Sequence, residues 1–160
     1  MLKKIRSKVL QAGDTAFAIV ASEFNARYVN GMLRAAQAEL KQSGAKVVKV
    51  VRVPGAYEIP VVVSRLARNS AAHNPPISAI ICLGVILRGE TVHAAHIGEA
   101  VSRALMAIQV RNELPVIHEV LLLENQEQAR VRCLSKTHNR GAEAAQTAIR
   151  MAKLLKNLPA

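Results

Sequence analysis

Apolar runs alternating with helix-period segments predict an α/β fold, a three-layer α/β/α sandwich around a four-stranded parallel sheet. Three observations carry that expectation. Short runs rich in Val, Ile and Ala occur at residues 16–21, 47–53, 77–83 and 115–123, and each precedes a longer stretch of helical period. The spacing leaves room for a crossover helix after each strand, which parallel strands require. Of the 160 residues 51% are apolar but only 2% aromatic, so a single domain spanning 1–160 can bury one aliphatic core.

In order along the chain, residues 1–14 form a basic N-terminal segment with Lys3, Lys4, Arg6 and Lys8. Residues 16–21 (AFAIVA) read as a buried strand. Residues 26–43 read as a helix, with apolar positions Val29, Leu33, Ala36 and Leu40 and a stop at Gly44. Residues 47–53 are β-branched and read as the second strand. Pro54-Gly55 turns the chain into a helix over 57–68, where Pro60 is tolerable because it falls near the first turn. Residues 73–76 are a loop, and 77–83 the third strand, broken at Gly84. A helix over 94–112 leads to the fourth strand, 115–123. Helices over 124–134 and 141–158 close the chain, separated by a break near 138–141. The pattern is that of a flavodoxin-like sandwich, with place for a fifth strand lent by a neighbouring subunit's N-terminal segment.

The formal charge of +11 is high for this length. It suits nucleic acid, anionic lipid or phosphorylated metabolites. The chain has no RNP-like aromatic motif and no zinc-finger spacing, and its basic residues are spread along it, so a phosphate-binding site is expected rather than specific nucleic-acid recognition. Cys82 and Cys133 show no CxxC or Cys/His spacing and read as free thiols in a reducing compartment. The N-terminus is too poor in apolar residues for a secretory signal, and no run is long enough to span a bilayer. The expectation is a cytoplasmic protein with no membrane partner.

In parallel α/β sheets ligands bind beyond the carboxyl ends of the strands. Ser22-Glu23-Phe24-Asn25 follows the first strand, Pro54-Gly55-Ala56-Tyr57-Glu58 the second, and residues 84–93 (GVILRGETVH) the third. Phe24 and Tyr57 can stack on a flat heterocycle or staple the following helix. Asn25 and Glu58 can hydrogen-bond ring amides or sugar hydroxyls. Backbone N–H groups around Gly89 to Thr91 can cradle an anion at a helix N-terminus, with Arg88 nearby. His93 can move protons near neutral pH. His93 and His96 share a helix face, but no third metal ligand is evident, and no metal is expected. Arg132, Lys136 and Arg140 lie near the junction of the last two helices. They read either as a phosphate-binding set, in this or a neighbouring subunit, or as a solvated basic face.

Glu23-Phe24-Asn25, residues 53–60 (VPGAYEIP), residues 88–93 (RGETVH), Glu127-Gln128-Ala129 with Arg132, and Asn139-Arg140-Gly141 occur in one order. Together they resemble the lumazine synthase family of riboflavin biosynthesis, over about residues 17–155. The resemblance implies a cofactor-free transferase that condenses 5-amino-6-(D-ribitylamino)uracil with 3,4-dihydroxy-2-butanone 4-phosphate. It implies that Phe24 stacks on the pyrimidine and that Asn25, Ala56, Tyr57, Glu58, Ile86 and Leu87 line its pocket. Gly89, Glu90, Thr91 and Arg132 would take the phosphate, His93 would be the acid/base, and Arg140 would face the ring. It also implies pentamers, which in some members build icosahedral capsids of sixty subunits, with active sites between neighbours.

Two stretches depart from the common family pattern. Ala94-Ala95-His96 stands where an aromatic–acid–aromatic run is frequent. His118-Glu119 stands where Phe-Gly is frequent, and His118 would take the place of a phenyl ring packed over a neighbour's substrate. Those departures support an alternative, a catalytically weakened flavin- or lumazine-binding or shell-forming homologue. A basic nucleic-acid-binding domain is a further reading, but it leaves Phe24-Asn25, Tyr57-Glu58 and His93 without a shared purpose.

Overall fold

A computed structural model describes residues 11–159. Strands β1 (Ala16–Ser22), β2 (Val47–Val53), β3 (Ile77–Leu87) and β4 (Val116–Leu123) alternate with helices α1 (Ala26–Gln42), α2 (Ile59–Arg68), α3 (His93–Asn112), α4 (Gln126–Leu134) and α5 (Arg140–Lys156). The sheet is all parallel in the order β2-β1-β3-β4. The expected three-layer, flavodoxin-like sandwich is what forms. The strand expected from a neighbour's N-terminal segment would involve residues 1–10, outside the described residues.

Strand alternation sorts the core into two aliphatic layers. Phe17, Ile19 and Ala21 of β1 and Ala79, Ile81, Leu83 and Val85 of β3 pack under α1, α4 and α5. Ala18 and Val20, with Ile80, Cys82 and Ile86, pack under α2 and α3. Both faces of the central strands are covered, which is why β1 reads as a continuous apolar run. At the end of α1, Gly44 adopts φ +77 and donates its N–H to the Lys41 carbonyl at 3.1 Å, as the expected glycine stop requires.

Several boundaries differ from the sequence reading. The third strand runs past Gly84 to Leu87, because a glycine interrupts side-chain packing and not the ladder. Gly84 pairs with Val120 and Leu87 with Leu123, and a Cβ on Gly84 would come within 3.0 Å of the Val120 side chain. Residues 84–87 are therefore sheet, not loop. The helix expected from residue 57 begins as a 3-10 turn, Ala56–Glu58, and becomes α-helical at Ile59, placing Pro60 in the first turn. The fourth strand starts at Val116, since Pro115 has no N–H, although its carbonyl still accepts from Ile80 at 2.9 Å. The last two helices start at Gln126 and Arg140, where Asn125 and Asn139 accept the Gln128 and Gly141 N–H groups, and the final helix stops at Lys156, short of residue 158.

Candidate active site

The chain passes from β1 outward to β2, then back across to β3 and β4, so the topological switch lies between β1 and β3. A cavity of about 1010 Å³ opens there, above the carboxyl ends of the strands. It is lined by the turns after β1, β2 and β3 and by the first turns of α3.

The corner after β1 is tied on two sides. Glu23 and Phe24 donate their N–H groups to the carbonyls of Val53 and Pro54 at 2.8 and 3.0 Å. Asn25 takes the left-handed conformation at φ 54 and donates Nδ2 to the Val85 carbonyl at 2.8 Å. The last β1–β3 pair is Ala21 with Leu83, so this side chain continues the bonding between the two strands beyond β1. The tight turn throws the Phe24 ring outward, 70% exposed, and Tyr57 is 63% exposed. Neither ring staples its helix. Both line the cavity with Asn25, Ala56 and Glu58.

The apolar floor is Val85, Ile86 and Leu87 from the end of β3, with Ala94 and Ile97 from α3. Gly89 and Thr91 line the side where α3 begins. His93 is the first residue of α3, and its backbone N–H is 3.4 Å from Thr91 Oγ1. Its imidazole shares the cavity with Phe24, Glu58 and His96. Arg88 does not line it; its guanidinium pairs with Glu124 at 3.3 Å. Among the described residues no group of three His, Cys, Asp or Glu side chains could hold a metal. Both thiols are free and buried, and burial pushes them up, Cys133 to about 11, so neither is poised as a nucleophile.

A cavity joining an exposed phenyl ring, a carboxylate, an imidazole and a glycine-bearing helix entrance is fitted to a flat polar ring and an anion. The family model of 6,7-dimethyl-8-ribityllumazine synthase matches residues 14–156. The chain belongs to the lumazine synthase family. The 6,7-dimethyl-8-ribityllumazine synthase of Xanthomonas oryzae pv. oryzae (strain PXO99A) is 37% identical over 152 residues, 94% of this chain and 96% of the relative. That of Stenotrophomonas maltophilia (strain R551-3) is 39% identical over 145 residues, 89% of this chain and 90% of the relative.

Four of the expected site residues stand outside the cavity. Glu90 is exposed on the loop before α3. His118, Arg132 and Arg140 lie on β4, α4 and α5. His118 faces α3, where Ser102 Oγ donates to the Gly98 carbonyl at 2.7 Å and receives the His118 Nε2 proton at 2.9 Å. Arg132 is partly buried, with its guanidinium 3.4 Å from the Gln128 carbonyl. Arg140 pairs with Glu119 and Glu143. Burial pushes the Glu119 carboxyl up to about 7, against the lowering pull of Arg140. Burial opposes the Arg140 charge, but Glu119 and Glu143 outweigh it and hold its pKa above the ordinary value.

The sequence reading missed Gly55, Val85, Ala94, His96, Ile97 and Ala100 as lining residues. Ile97 and Ala100 had a signal, since they fall on the helix face of His93 and His96 at helical spacing. Val85 lies in the 84–93 strand-end segment, but a strand ending at residue 83 does not single it out as part of an apolar floor.

Proposed function

We propose that the protein condenses 5-amino-6-(D-ribitylamino)uracil with 3,4-dihydroxy-2-butanone 4-phosphate to give 6,7-dimethyl-8-ribityllumazine, phosphate and water. The observation that carries this reading is the meeting of Phe24 and His93 in one cavity at the sheet's switch point. Phe24 stacks on the pyrimidine. Asn25, Ala56, Tyr57 and Glu58 hold the ring edge and the ribityl hydroxyls, over the floor formed by Ile86 and Leu87. Gly89, Glu90 and Thr91 receive the phosphate at the entrance to α3, where backbone N–H groups favour an anion. The amine joins the ketone carbon, and water leaves to form an imine. Phosphate then departs with the C–O bonding pair. His93 moves the protons these steps require.

Arg132, His118 and Arg140 complete a neighbour's site, Arg132 on the phosphate and the other two on the ring. Their placement outside their own cavity supports a site shared between subunits. Val61, Met106 and Val110 are exposed apolar residues on the α2–α3 layer, which favours self-association there. We assign self-association as a pentamer and a cytoplasmic location.

Mixing the two substrates with purified protein tests the activity. The lumazine chromophore and fluorescence should appear, and no product would defeat the reading. Complementation tests the shared site. His93→Ala and Arg132→Ala variants, each impaired alone, should regain activity when refolded together. Failure to regain any would place Arg132 outside a neighbour's site.

A further inference from the structure

Glu119 is 7% exposed, on β4, beneath the first turn of α5. Its carboxylate grips Arg140 side-on: Nε donates to Oε2 at 3.0 Å, and Nη2 lies 3.0 Å from Oε1 as an ion pair. Glu143 takes Nη1 at 2.7 Å. Nε and Nη1 thus donate to two carboxylates on two elements, and the guanidinium keeps further N–H groups for a ligand. A long arginine left partly exposed would otherwise sample many rotamers. Burying a carboxylate is unfavourable even when paired, and an apolar or small residue under α5 would serve stability better. The arrangement therefore fixes a direction more than it strengthens the fold.

We propose that Glu119 is a positioning residue, holding the Arg140 guanidinium in the orientation that presents its remaining N–H groups to the pyrimidine substrate. This rests on the reading above that Arg140 faces the ring. The groups around Glu119 are Arg140 and Glu143 on α5 and Cys133 on α4, itself acted on by Arg132; His118, next to it on β4, faces α3. With the carboxyl pushed up to about 7, the clamp tightens as pH rises through neutrality.

Steady-state kinetics on the assembled protein test this. Glu119→Gln should raise KM for the aminouracil about tenfold, the size of one hydrogen bond to a charged group, and leave kcat within about twofold. In an Arg140→Gln background the same change should add nothing. Should Glu119→Gln not fold, the wild-type KM for the aminouracil should still fall as pH rises through about 7, and Arg140→Gln should abolish that dependence. An unchanged KM in Glu119→Gln, an equal effect in both backgrounds, or a pH dependence that survives Arg140→Gln would overturn the assignment. Wild-type turnover, measured first, separates the two claims. No product overturns both, whereas product with an unchanged variant KM overturns this one alone.

Discussion

Asn25→Ala isolates the contact that builds the cavity's front edge. The change removes the bond from Nδ2 to the Val85 carbonyl, 2.8 Å long and partly buried. Losing such a bond costs about 0.5–1.5 kcal/mol. It also places alanine at φ 54, in the left-handed region, for about 1–2 kcal/mol more. Together the loss is about 1.5–3.5 kcal/mol, a drop in Tm of roughly 3–14 °C for a chain of this size. Calorimetry at one fixed protein concentration reads it, since association shifts Tm by mass action. Asn25→Gly removes the same bond without the backbone strain and should lose about 1 kcal/mol less. A Tm for Asn25→Ala within about 1 °C of wild type would show that the Asn25–Val85 bridge does not hold the corner, and the argument for how Phe24 is aimed would go with it.

Other consequences follow from single features. His93→Ala should slow kcat by roughly 10²- to 10⁴-fold in a lumazine-formation assay, the loss expected of an acid/base group; unchanged turnover would remove it from that role. Gly141→Ala should destabilise by about 1–3 kcal/mol or block folding, because its Cβ would clash with the Met32 carbonyl oxygen where α5 crosses α1. Gly98→Ala, which meets only Leu122 at 3.7 Å, should instead raise thermal stability by about 0.5–1 kcal/mol. Glu119 titrates from 4.5 in the unfolded chain to about 7 when folded, so the folded protein holds that proton more tightly between those values. Its contribution, full below the unfolded value, is lost as pH rises through the folded one, at most on the order of 3 kcal/mol. Denaturant titrations at pH 5 and pH 8 should show this slope in the wild type and a flatter one in Glu119→Gln.

The fold was legible because nearly every strand and helix announces itself by period. Residues 47–53 carry the β-branched run of a strand and 26–43 the apolar spacing of a helix, and both stand within a residue of where the pattern puts them. Gly84 misled because glycine reads locally as a break, while its backbone still pairs with Val120. Caps were harder. Asn125 and Asn139 start their helices through side-chain bonds that hydrophobic period does not register. At the site, the strand-end rule gathers Phe24, Asn25, Tyr57, Glu58 and His93 from sequence alone, because connectivity sends those turns to one edge. It said nothing about Glu119, whose significance depends on Arg140 reaching it from 21 residues away in sequence. Nor did it separate the cavity's own residues from Arg132, His118 and Arg140, because the residues of one chain do not say which subunit's cavity they serve.

The most direct test of the central claim is a crystal structure of the assembled protein with 6,7-dimethyl-8-ribityllumazine bound. The pteridine ring should lie against the Phe24 phenyl group, within reach of the His93 imidazole, with a neighbouring subunit's Arg140 at its edge. A ring bound elsewhere, with the pocket between β1 and β3 left to solvent, would contradict the account.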